Sequence, residues 1–191
     1  MMRNNSVKNL AAAALFAALS CVFTMAIRIP TPGTGGYIHP GDAAVILSGI
    51  FLDPVAAFLA AGIGSCMADF LGKRTDYNFQ FAKRFWNNRG YFIYVPITFV
   101  VKGLVAVVTS VVYCHGVSKG KSGKLAVLYG GITDILLVTG GYFLCESLLY
   151  GPAAAFLSLP ANGIQGISGL VIAGVLYPGL ERTLEIREKV R

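Results

Sequence analysis

The chain is short of charge. Only 13% of its 191 residues are Asp, Glu, Lys or Arg, about half the 25% usual for a soluble domain. Acids are the scarcer kind, nine against 16 basic residues. So little polar surface cannot cover a water-facing globule, which leaves lipid as the expected solvent. Histidine and cysteine are equally thin. His39 and His115 stand alone, and Cys21, Cys66, Cys114 and Cys145 lie in or beside apolar runs with no C-x-x-C among them. Neither a zinc site nor a disulfide framework is therefore expected. There is no G-x-x-x-x-G-K-[ST], so the chain cannot draw on ATP through a P-loop of its own. Without H-E-x-x-H or G-x-S-x-G, hydrolase chemistry has no support. No inverted repeat points to a self-sufficient secondary transporter. No catalytic residue, metal or cofactor is expected.

What is present is apolar. Hydrophobic residues make up 55% of the chain, and the mean hydropathy is +0.65. The net charge of +7 does not imply nucleic acid, because basic residues collect in the cytoplasmic loops of membrane proteins. The expected fold is an all-α integral membrane protein, one domain of six transmembrane helices at about 7–27, 42–52, 54–71, 91–113, 125–150 and 161–180. The first apolar run is long enough to read as a helix rather than a signal peptide. RIPTPGTGGYIHPG after it, with three prolines and four glycines, predicts a structured loop. Helix 2 is short for a span, which needs about 20 residues. Asp53-Pro54 predicts an N-cap and first helical residue, and GPAAAFLSLP reads as a connection before helix 6.

Six helices put both termini on one side, expected to be cytoplasmic. That side then holds nine basic residues, and the other holds Arg28 and five more from KRTDYNFQFAKRFWNNR, residues 73–89. The bias would be strong without this basic, aromatic stretch. It reads as an inserted loop, either lying in the headgroup region or forming a second lid.

A charged group deep in a membrane helix is costly and marks function by default. Lys102 lies eleven residues from each end of its expected helix, about 16 Å from either surface at roughly 1.5 Å per residue. It is expected to face a polar cavity or a carboxylate, the plainer alternative being a structural ion pair. Glu146 and Tyr142 share a face near the end of helix 5, with Tyr150 one turn on. Asn162 and Gln165 open helix 6, Asp69 closes helix 3, and His39 and Asp42 enter helix 2. All converge on the outer half, as a small-ligand pocket requires. Asp42 reads equally well as an N-cap and His39 as a loop hydrogen bonder. Asp134, about 120° round the helix from Glu146, is expected to face a different neighbour. In helix 1, Ala11, Ala13, Ala14, Ala17 and Ala18 form small-residue faces that let another helix approach, from this chain or from another protein.

These motifs in order are an alanine-rich first helix, GGYIHPGDA, ADFLG, GYFIYVPITFVVKG, GYFLCESLLYG and PANGIQ. Together they resemble the substrate-binding S components of energy-coupling factor (ECF) vitamin transporters, in the riboflavin-, pyridoxine- and hydroxymethylpyrimidine-type group. The resemblance covers nearly the whole chain outside 73–89. It implies high-affinity capture of a small B-type vitamin or precursor from outside, in the plasma membrane of a bacterium. It implies docking through the alanines of helix 1 onto a transmembrane coupling subunit served by two cytoplasmic ATPases. Inward delivery would follow by toppling of the S component in the bilayer, with Arg28–Gly41 as a lid. The rival readings are a structural or assembly subunit, and an intramembrane enzyme using Lys102 and Glu146 as acid and base.

Overall fold

A computed structural model describes residues 6–31, 33–34, 36–71, 90–118 and 123–189. Among these, six α-helices follow one another: α1 Ser6–Ala26, α2 Asp42–Phe51, α3 Pro54–Leu71, α4 Gly90–Ser118, α5 Gly123–Tyr150 and α6 Pro152–Lys189. Two short strands, β1 Ile29–Pro30 and β2 Tyr37–Ile38, pair antiparallel between α1 and α2. The expected inserted loop, 73–89, lies outside the described residues.

Five of the helices are long and apolar enough to cross a membrane. The sixth, α2, has ten residues, about 15 Å at 1.5 Å per residue, half the hydrocarbon thickness of about 30 Å. It survives by being central. Residues Asp42 to Ile50 are all buried, and α2 touches each of the other five helices. The long helices instead turn apolar side chains outward, among them Val55, Leu104, Leu136, Leu148, Phe156 and Val175. That is the inside-out surface of a lipid-facing bundle.

Asp53 caps α3 as its Asp-Pro pair requires, with Oδ1 accepting from the backbone N–H of Val55 at 3.2 Å and Ala56 at 3.1 Å. The expected boundary of the last helix is wrong. GPAAAFLSLP is helical, and α6 begins at Pro152 rather than near 161. The break is Gly151, at φ +89, a left-handed conformation that favours glycine. Pro152 follows in the first helical position, where its missing N–H costs nothing. Pro160 and Pro178 are carried inside the helix.

Helix α1 packs on α3 and α2. It comes close to α3 at Gly64, where an added Cβ would collide with the backbone of Ala17. Ala13 and Ala17 are accordingly half-buried against the core. Ala11, Ala14 and Ala18 are exposed, in a stripe continued by Val7 and Val22. The five alanines thus divide between two faces, and only three of them point away from the bundle. Deeper in, Phe16, Phe51 and Tyr177 stack at successive centroid distances of 6.0 Å, joining α1 to α2 and α6.

Candidate functional site

At the end of the bundle where α2 begins, a cavity is lined by Gly36, Tyr37, His39, Asp69, Tyr94, Thr98, Tyr142, Glu146, Asn162 and Gln165. The β1–β2 connection supplies the first three, and α3, α4, α5 and α6 supply the rest. Six of the eight expected pocket residues are therefore brought together: His39, Asp69, Tyr142, Glu146, Asn162 and Gln165. The cavity measures about 20 Å³, space for about one water.

The walls are tyrosine and carboxyl. Glu146 accepts from the Tyr94 hydroxyl at 2.8 Å and from the Ser158 hydroxyl. Thr98 and Tyr142 share a hydrogen bond of 2.9 Å. The Tyr37 hydroxyl donates to Asp69 Oδ1 at 2.6 Å, and the Arg28 guanidinium lies 4.7 Å from the Tyr37 ring centroid. Two polar atoms of this wall have no hydrogen-bond partner among the described residues, Asp69 Oδ2 and Asn162 Nδ2. Other buried polar atoms among the described residues share this state, both oxygens of Asp134 included. What sets these two apart is their place in the cavity wall, where a bound molecule could pair with them.

Lys102 and Asp42 do not line the cavity. Lys102 is fully buried, and its ammonium donates to Asp42 Oδ1 at 2.5 Å. Asp42 Oδ2 accepts from Gln165 Nε2 at 2.8 Å, and Gln165 Oε1 accepts the backbone N–H of His39 at 3.2 Å. The lysine, expected to face a cavity or a carboxylate, thus faces the carboxylate. The physical reason is the cost of an unpaired ion in this interior, which the adjacent Asp42 removes. Asp134 is also fully buried; it lies outside the cavity and in the field of Asp42 and Lys102. Its neighbours differ from those of Glu146, as its position round the helix requires.

His39 sits in the connection, outside the spanning helices. Burial, opposed by the Asp42 carboxylate and reinforced by Lys102 and Arg28, pushes its imidazole down to about 3. The neutral ring accepts the Gly41 N–H on Nδ1 at 3.1 Å, a bond that a protonated nitrogen could not accept.

Sequence reasoning missed Gly36, Tyr37, Tyr94, Thr98 and Ser158. Tyr94 and Thr98 had a visible signal, since Tyr94, Thr98 and Lys102 fall at i, i+4 and i+8 on one face of α4. Ser158 was hidden because its segment was read as a connection. Among the described residues no cluster of three or more His, Cys, Asp or Glu could hold a metal.

The family model described as ECF-type riboflavin transporter, S component, matches residues 4–81 and 87–182. The match is interrupted only at 82–86, so it runs through much of the stretch read as an insertion. The chain is 26% identical over 184 residues to the thiamine precursor transporter HmpT of Lactococcus lactis subsp. cremoris, covering 96% of this chain and 93% of that one. It is 28% identical over 155 residues to a Pyrococcus woesei protein described only as uncharacterized in the gap 3′ region, covering 81% and 89%.

Proposed function

The chain belongs to the family of S components of ECF-type riboflavin transporters, and from that membership we propose how it works. As the substrate-binding subunit of a vitamin transporter it is not an enzyme, so its buried acids and lysine serve binding and architecture rather than chemistry. It captures a small B-type vitamin or precursor, pyridoxine-, hydroxymethylpyrimidine- or riboflavin-like, from the outer side of a bacterial plasma membrane. Both termini are cytoplasmic, and the cavity end of the bundle faces out.

The observation that carries this reading is the pair of buried, unpartnered groups in one tyrosine-walled cavity, Asp69 Oδ2 and Asn162 Nδ2. A heteroaromatic ring stacks on tyrosine while its own donor and acceptor pair with these two atoms. His39, Tyr142, Glu146 and Gln165 complete the lining, and Asp42 and Lys102 support it from beneath. The resemblance to a transporter named for a thiamine precursor favours a small pyrimidine-like ring over a flavin. A cavity of about 20 Å³ admits neither, so the β1–β2 connection moves aside as a lid during capture.

Energy comes from partners, a transmembrane coupling subunit and two cytoplasmic ATPases. They engage the outward stripe Ala11, Ala14 and Ala18, with Ala13 and Ala17 serving the internal packing of α1. The test is thermal stability of the purified protein across a B-vitamin panel, because a ligand that binds only the folded state raises it by mass action. Stabilisation by one compound is expected. No stabilisation by any, with no association to a coupling subunit, favours instead a structural or assembly subunit.

A further inference from the structure

Gln165 uses both ends of its amide on protein. Its carbonyl accepts the His39 N–H of the β1–β2 connection at 3.2 Å, and its amino group donates to Asp42 at 2.8 Å. This orientation satisfies both neighbours, whereas the flipped amide would face a donor with a donor and a carboxylate with an oxygen. Asp42 is itself fixed by Lys102 at 2.5 Å. Space fixes the same junction. An added Cβ at Gly169, one turn beyond Gln165, would meet Asp42 Cβ at 2.7 Å, so α6 lies directly on the start of α2. None of Asp42, Lys102 or Gly169 lines the cavity.

We infer that Gln165 is the latch of the lid, held in position from behind by the Asp42–Lys102 pair. The inference rests on the reading of the cavity as the ligand site, because a lid needs something to cover. Other attachments run to α3: Tyr37 to Asp69, and Arg28, just before β1, to the Ala68 carbonyl at 2.7 Å. The Gln165 bond ties the hinge end of the connection to α6, at His39, three residues before α2 starts, while Gly33 at the turn lies against Ala154 and Leu157 of the same helix. Release of this bond loosens the strand pair Ile29–Ile38 and Pro30–Tyr37 at its hinge end, while the α3 attachments and the packing of Gly33 on α6 remain. Lys102 and Asp42 therefore act on capture through Gln165, as positioning residues without ligand contact.

Hydrogen exchange of the ligand-free, full-length protein in nanodiscs tests this directly. Gln165→Met keeps the length of the side chain and removes both bonds. It is expected to speed exchange about fivefold, the effect of one net hydrogen bond, across the connection as a unit, including the Thr31 amide that bonds Gly36 at 3.1 Å. The double variant Asp42→Asn/Lys102→Met removes both charges together, so no lone ion is left buried. It is expected to give a smaller acceleration in the same segment. Acceleration at His39 alone, acceleration spread evenly over α2, α4 and α6, or no change in Gln165→Met would each overturn the latch. An unchanged connection in the double variant would overturn the part given to Asp42 and Lys102. A protein that bound no vitamin would still give these exchange results, so failure of the latch and failure of the proposed function are separable.

Discussion

Two groups of buried polar side chains meet at Gln165, and they are completed differently. Below it, Asp42 and Lys102 satisfy one another and the Gln165 amide. Above it, Asp69 and Asn162 each keep an atom without a partner in the cavity wall. In hydrocarbon an unsatisfied polar atom costs several kcal/mol in principle, and in the proposed function a bound ligand removes that cost for the two in the cavity wall. A pair that closes on itself is arranged for the fold. The difference separates architecture from recognition in a region where every one of these residues looked alike as a sequence.

The sharpest way to break the comparison is to open the closed pair. Lys102→Met leaves Asp42 buried without its cation and is expected to destabilise the protein by about 3–5 kcal/mol, read as thermal unfolding in detergent. A loss of ligand affinity at unchanged stability would instead place Lys102 in the recognition layer. A similar contrast divides the faces of α1. Ala17→Leu pushes into the Gly64 contact and is expected to cost up to about 3 kcal/mol. Ala18→Leu, on the exposed stripe, should stay within about 0.5 kcal/mol and lose only association with a coupling subunit. Equal destabilisation by the two would erase the division between faces.

His39 tests the boundary between the layers through pH. Its folded value is depressed to about 3 from an ordinary 6.5, so below pH 6.5 the unfolded chain binds a proton that the folded chain refuses. The stability is present above pH 6.5 and is lost progressively as pH falls toward 3. Between pH 6.5 and 5 the loss is about 2 kcal/mol, at roughly 1.4 kcal/mol per pH unit. His39→Gln should remove that share of the acid sensitivity of the melting curve; an unaltered pH slope would show that His39 is not buried neutral. In the cavity wall the expected effect is smaller and of another kind. Asn162→Leu should weaken binding of the stabilising vitamin about tenfold, the loss of one hydrogen bond left unmade by the ligand, with little change in unfolding.

Much of the fold was legible because long apolar runs announce membrane helices whatever their packing. Glu146, Asn162 and Gln165 were legible as one group from the ends of their expected helices, although α6 begins at Pro152 and Asn162 and Gln165 lie well inside it. What stayed hidden depended on contacts between helices. Lys102 and Asp42 are 60 residues apart, and nothing local to either says that they pair. The same small-residue spacing describes Ala13 and Ala14, and only Gly64 on α3 decides which of them faces inward. The start of α6 was misread for another reason. GPAAAFLSLP reads as a connection, although its Gly151-Pro152 carries a stop-and-start signal that lets the helix begin there. Recovering that turn of helix recovers Ser158, which donates to Glu146.

The division between a recognition layer and a supporting layer is tested most directly by the affinity of the stabilising vitamin for two variants beside the parent protein. The account predicts that Asn162→Leu loses about tenfold, while Asp42→Asn/Lys102→Met, with both charges gone together, stays within about threefold, the size of a weak indirect effect. The reverse order, with affinity lost in the charge-pair variant and kept in Asn162→Leu, would contradict it.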